Sequence, residues 1–457
     1  MRGDMKMSLL NYLNKKRFEM KHVTGSFLAL VIIAGTMLSG CNLLDVNNPN
    51  SLVEDDIDQP VTAEFLTNGS EATVADGVSG FLAVYSVASD ELNWVGSFDA
   101  WQDIMIGNFN DPTNQFVDQE YPTVSRARWW ADDVIKRLNE FDSEGLLADK
   151  TQLSRAYLYG AITYVTIADM FDNFVFTERA EGGPPIGEEN MVNLYDTAVE
   201  YIDQGLSISG ISTDLEAALL GMRARANYSK AMWGKMNPSV NTADPLINNS
   251  EAVADAQAAL ALMDADYKYR LTFSPSTLNN YVAQQTNQRI ELVVNPDVYI
   301  VADDAGRRVK NIQYPDSTVQ LQDPIDNIPD PVLYNTLVEF ITAIEYAPIT
   351  VVSAREMHLI LAEAAAAGNG SVDFDTQINA IRSLNGLTDY SGQITQLEML
   401  QHTRQVNLFL QGRRLHDMYR FDVSSPQWET NSTAESSPGT FFPISITECR
   451  ANPEVSC

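Results

Sequence analysis

The chain has 457 residues, with 30 lysines and arginines against 61 aspartates and glutamates, a formal net charge of −31. So acidic a surface repels phosphate backbones and anionic lipid head groups, which argues against nucleic-acid binding and against membrane attachment through a basic patch. With 45% hydrophobic and 9% aromatic residues, the composition is that of a chain that builds a core, not of a disordered one.

The N-terminus offers another route to a membrane. Lys15, Lys16, Arg17 and Lys21 precede an uncharged apolar run of 12 residues, Phe27 to Leu38. A spanning helix needs about 20 residues, so the run reads as a secretory signal. It ends Leu38-Ser39-Gly40-Cys41, which resembles a lipobox: small side chains before the cut, then a thiol that accepts the lipid. The expectation is a signal peptide over 1–40, a lipidated Cys41 and a tether over 41–60 rich in Asn, Asp and Pro. The alternative is a plain signal peptide whose cysteine is incidental. Translation could also start at Met5, Met7 or Met20. Cleavage after Gly40 would leave 24 basic against 59 acidic residues, a net charge of −35.

The remainder, 61–457, reads as one helical domain. Helices are expected over 124–141, 151–171, 191–206, 215–236 and 250–264. The second is apolar nearly all round and so central. Residues 270–335 break the pattern with six prolines and β-type stretches such as Leu292-Val293-Val294. Such irregular segments often carry binding surfaces on a rigid scaffold. Ser353-Ala354-Arg355-Glu356 is a capping box, followed by Met357, Ile360, Leu361 and Ala364 on one helix face and a stop at Gly368. A second helix over about 375–384 completes a hairpin of about 34 residues, the length of a tetratricopeptide unit. Thr395-x-x-Glu398 opens a last helix, to 411. The predicted fold is thus all-α, hairpins supporting an irregular half. Cys449 and Cys457, in an exported chain, suggest a disulfide; two free thiols on a frayed tail are the alternative.

Catalytic signatures are missing. His358, His402 and His416 form no metal-binding pair, and there is no nucleophile elbow, phosphate loop or dinucleotide fingerprint. No enzyme, cofactor or metal site is expected. One stretch suggests binding. Trp94-Val95-Gly96-Ser97-Phe98-Asp99-Ala100-Trp101-Gln102-Asp103 is followed by Asn108, Asn110 and Asn114. Aromatic faces beside amides suit sugars, with the ring covering the C–H face and the amides taking the hydroxyls. The competing reading places both tryptophans, seven residues apart, on one inward helix face.

Several segments together resemble the SusD/RagB family of outer-membrane nutrient-binding lipoproteins. The mature start Cys41-Asn42-Leu43-Leu44-Asp45 is similar to that family's. So are Arg155-Ala156-Tyr157, Glu356-Met357-His358-Leu359-Ile360-Leu361-Ala362-Glu363-Ala364, Asn379-Ala380-Ile381-Arg382, the run from Gln411 to Arg420, and Phe442-Pro443-Ile444. Thr403, Asn407 and Gln411 stand where the family usually has glutamates, which questions the local salt bridges more than the fold. In Asp169-Met170-Phe171-Asp172 the family's glycine is replaced. The resemblance implies a non-catalytic surface lipoprotein. It would bind oligosaccharides or similar oligomers and deliver them to a SusC-like TonB-dependent transporter. Its stacking residues would be Trp94 and Trp101. A peptide-binding member of the family, a lipid-anchored glycoside hydrolase and a plain helical scaffold are the alternatives. The acidity favours neutral or cationic ligands unless a local basic patch offsets it.

Overall fold

The computed structural model describes residues 58–178, 182–300 and 319–456; the expected signal peptide, Cys41, most of the expected tether and Cys457 lie outside the described residues. The main helices are α1 (Ala63–Ala88), α2 (Ala100–Met105), α3 (Gln115–Ser143), α4 (Thr151–Met170), α5 (Asn193–Ser207), α6 (Thr213–Met236) and α7 (Ser250–Leu260). After them come α8 (Pro331–Thr342), α9 (Ala354–Ala366), α10 (Phe374–Ser383), α11 (Gln396–Asn407), α12 (Arg414–Arg420) and α13 (Ile446–Ala451). Two short antiparallel ladders join them: β1 (Leu92–Trp94) with β3 (Leu292–Val294), and β2 (Lys268–Leu271) with β4 (Ile349–Ser353). The all-α expectation holds. No helix among the described residues is long and apolar enough to cross a membrane.

Helices α3 to α7 pack each on the next, α7 packs on α9, and α9 packs on α10 and α11. This is the stacking of helical hairpins, in which each layer buries its apolar stripe on the next. Residues 59–457 form one compact unit. The amphipathic helices lie where their stripes place them, to within a few residues, except that α3 begins nine residues earlier. Asn114 caps that start by accepting from Phe116 N at 3.0 Å, and Pro122 lies inside the helix.

Helix α1 was not foreseen. It is buried on nearly every side, so it has no stripe to read. Its glycines let α3 come close: a Cβ on Gly77 would lie 3.0 Å from both Thr123 O and the Ala127 Cβ.

The two capping boxes differ. Thr395 and Glu398 close theirs in both directions. Ser353 accepts from Glu356 N at 3.2 Å, but the Glu356 carboxylate does not return. It is paired instead with Arg225 and, at 3.5 Å, with Arg413.

That pairing belongs to a larger buried network. Arg413 reaches Asp169 at 3.0 Å, and Tyr195 Oη donates to the same carboxylate at 2.8 Å. Glu363 pairs with Arg420 and Arg404 and accepts from Tyr228 Oη at 2.6 Å. Asp417 takes Arg404 Nε at 2.8 Å and Arg420 Nη2 at 2.8 Å. Arg414 grips Asp90 with two bonds, 2.7 and 2.6 Å. Five guanidinium groups thus face five carboxylates. A balanced set is what burial requires, since an unpaired ion costs several kcal/mol there. Thr403, Asn407 and Gln411 take no part; each bonds along its own turn, and Asn407 also accepts from Arg355 Nη1 at 2.9 Å. The network closes without the glutamates expected at those positions. Arg420→Met would leave Glu363 and Asp417 underpaired. We expect a loss of about 3–5 kcal/mol in urea unfolding, and a change under 1 kcal/mol would show the network to be dispensable.

Candidate functional site

The site is assembled at the end of β1. Asp90 and Glu91 precede the strand. Glu91 accepts from Leu410 N at 2.7 Å and Ser86 Oγ at 3.0 Å, so β1 leaves a fixed point. The loop 95–99 then wraps around Glu291. The Glu291 carbonyl accepts from Val95 N and Gly96 N at 3.0 and 3.1 Å. Its carboxylate accepts from Ser97 N (2.7 Å), Ser97 Oγ (2.9 Å) and Phe98 N (3.2 Å). The wrap needs a glycine: a Cβ on Gly96 would overlap the Glu291 carboxyl and lie 2.6 Å from its Cα.

Glu291 is presented by unusual backbone. Residues Gln284–Gln288 form a π-helical turn, and Ile290 has φ +57°, a left-handed conformation rare for a β-branched residue. Such turns and strained residues concentrate at functional sites.

A column of rings rises through this loop. Trp101 is fully buried and stacks on Phe116, centroids 3.7 Å apart at 15°. Phe116 meets Phe98 edge-on at 6.2 Å and 87°. Phe98 is 37% exposed, and the Arg289 guanidinium lies 5.7 Å from its centroid, within cation–π range. Ser97, Asp99 and Arg289 are exposed around the ring.

The two tryptophans therefore part company. They are not on one helix face, since Trp94 ends β1 and Trp101 sits in α2. Trp101 is a core residue and cannot stack on a ligand; its role is to support Phe116. Trp94 is half-buried beside the loop, opposite Leu292. The amides also turn inward. Asn114 caps α3, and Asn108 and Asn110 accept from Thr433 at 3.3 and 2.8 Å. The sequence reading missed Phe98 and Arg289. Phe98 lies between the two tryptophans, and nothing in its spacing sets it apart from a core residue. Arg289 is distant in sequence and joins only through the β1–β3 pairing.

Other chemistry-bearing groups are already engaged. Asp323, Asp330 and His402 place one ligand atom each within 4.8 Å of one another, spacing that could hold a metal ion. Asp323 is gripped by Arg382 at 2.7 and 3.0 Å. Asp330 caps α8 and accepts from His402 at 2.8 Å when that nitrogen is protonated. His416 lies 2.9 Å from Tyr85 Oη and His358 2.8 Å from Gln377. Cys449 is disulfide-bonded; its expected partner Cys457 lies outside the described residues.

Comparison with known proteins places this architecture. The model of the SusD family matches residues 354–442, the segment that holds Glu356, Glu363 and the arginines of α12. A SusD homologue from Bacteroides thetaiotaomicron superposes with TM-score 0.61 at 13% identity, covering 89% of this chain and 98% of its own. A SusD superfamily protein from Bacteroides fragilis gives 0.58 at 11%, covering 87% and 99%. A structure described as a putative sugar binding protein, from Bacteroides vulgatus, gives 0.56 at 14%, covering 87% and 98%. No curated protein matches the sequence.

The site's footing is pH-dependent. Burial pushes the carboxyls of Glu91 and Glu120 up to about 7. Both folded values exceed the unfolded one, about 4.3. Their stabilisation is complete below that value and is lost as pH rises through about 7. His416, held down at about 4 by burial, acts in the opposite sense below its unfolded value of about 6.5. The clean window is therefore above pH 6.5. We expect the melting temperature to fall between pH 6.5 and 8.5. Glu91→Gln should flatten that slope, and an unchanged slope would remove Glu91 as its source.

Proposed function

We propose that this SusD-like chain is a lipid-anchored outer-membrane protein that binds oligosaccharides or similar oligomers without cleaving them and passes them to a SusC-like TonB-dependent transporter. One observation carries the binding reading: the ring column that ends at exposed Phe98, flanked by Arg289 and fixed by the Glu291 loop. An edge-supported ring on a rigid loop covers the apolar face of a pyranose at little entropic cost. Trp94, beside it, is the second candidate. The sugar-binding description of a structural neighbour supports the same ligand class.

The carboxyls raised towards neutrality do not form a hydrolytic pair in this site. Glu91 and Glu120 are buried in the interior, and Asp172 lines a recess with Phe171, Glu188, Trp233 and His416. Asp172 is occupied in accepting from Phe441 N at 3.0 Å.

Phe98→Ala should weaken binding of a glycan found on a screening array by roughly tenfold, the value of most of one buried aromatic face. Calorimetry on the mature chain reads this directly. Unchanged affinity would remove Phe98, and an array that stays silent while peptides are retained would move the ligand class to peptides.

Anchoring is tested separately. Cys41→Ala should move the chain from the membrane to the soluble fraction and lose a co-purifying β-barrel. A variant that stays in the membrane would rule out anchoring through Cys41.

A further inference from the structure

Strand alternation sends neighbouring side chains to opposite faces. Around β2 it separates phenols from cations. Tyr267 and Tyr269 turn towards the helices, where Tyr267 Oη donates to Asp214 O at 3.0 Å and Tyr269 Oη to Tyr159 Oη at 3.4 Å. Lys268 and Arg270 face the other way, into a cavity of about 80 Å³ beside α8 and the turn after α11. Arg355, from the first turn of α9, joins them there.

The local charge is opposite to that of the whole chain. Arg270 pairs with Glu339 at 2.6 Å, and Arg355 and Lys268 share Asp266 at 2.6 and 3.3 Å. Three cations against two carboxylates leave one positive charge unbalanced. Two buried polar atoms at the cavity, Arg270 Nε and Gln411 Oε1, have no hydrogen-bond partner among the described residues. The first is a charged donor and the second an acceptor. Thr336 and Thr350 add hydroxyls, and Phe340 and Phe409 supply an apolar wall.

A bare inorganic anion would satisfy the cations but not the acceptor or the apolar wall. A carboxylate next to a ring hydroxyl satisfies all three. The lining groups match one carboxylate and its adjoining ring carbons. We propose that this cavity is a subsite for the carboxylate of a sugar acid, a single uronic-acid residue of a glycan. It does not rest on the Phe98 ring, and its one unbalanced charge suits a monoanionic unit where the surrounding acidity excludes a polyanion.

The test uses isothermal titration of the mature chain with sodium glucuronate, glucose and sodium acetate. Glucuronate should bind roughly tenfold or more tightly than either fragment, because only it offers both groups, and Arg270→Gln should weaken it by a similar factor. Glu339→Gln should tighten it, because it frees Arg270 and raises the local charge. Lys268→Met, on the same side of β2, should weaken it and serves if Arg270→Gln does not fold. Three results would overturn the proposal: glucuronate binding no better than glucose, acetate binding as well as glucuronate, or Glu339→Gln weakening binding alongside Arg270→Gln. The last would mean that the Arg270–Glu339 pair is structural only.

Discussion

The fold depends on keeping charge balanced in its interior. Helix α12 is seven residues long, yet with the residue before it, it places four ionic side chains from Arg413 to Arg420, with Asp417 among them, against partners from α4, α9 and α11 and against Asp90 before β1. A helix that short has little stability of its own. It is held because every charge on it finds an opposite one, and the elements carrying those partners are held by it in return. Burying ions gives little net stability compared with apolar packing, but it penalises any arrangement in which a partner is missing. The network therefore acts mainly as a register pin. It fixes which turn of α9 faces which turn of α6, a relation that stripes of alanine and leucine leave less defined.

This explains how legible the chain was. Helices with one apolar face, such as α5, α10 and α11, declare themselves through spacing. Helix α1 does not, because burial on all sides removes the contrast that spacing reads. Glu356 looked like half of a capping box because Ser353 three residues earlier is a good cap. Only the approach of Arg225 and Arg413, 131 and 57 positions away, shows where its carboxylate goes. The spacing of Trp94 and Trp101 was ambiguous for a related reason. A strand and a loop, not a helix, separate them, and burial then assigned one to the core and the other to the flank of the site. Arg289 could not have been placed from the sequence, since its position depends on β3 pairing with a strand about 200 residues earlier.

The charge of the chain also takes on a different meaning. The network consumes five basic and five acidic residues, so it leaves the net value unchanged while depleting the surface of cations. Six of the 30 basic residues lie in the first 21 positions, and with the five in the network also set aside, 19 basic residues are left among 54 acidic ones. Lys268, Arg270 and Arg355 at one cavity are then a concentration, not a sample, and β2 alternation puts the first two on the same side.

The network and the Phe98 loop are mechanically continuous. Arg414 holds Asp90, and Leu410, four residues before it, donates to Glu91. Those two acids are the last residues before β1, and β1 leads into the loop wrapped on Glu291. The exposed Phe98 ring at the end of this path inherits the rigidity of the core without standing in it. The division follows from what each part must do. A buried, charge-paired frame tolerates little change, because each substitution leaves an ion without a partner. The loop beyond β1 is anchored through backbone N–H groups, the Ser97 hydroxyl and one glutamate, so Phe98 and Asp99 can vary in side chain without loosening the frame. The tip can therefore change while the paired ions of residues 354–442 stay committed to the interior.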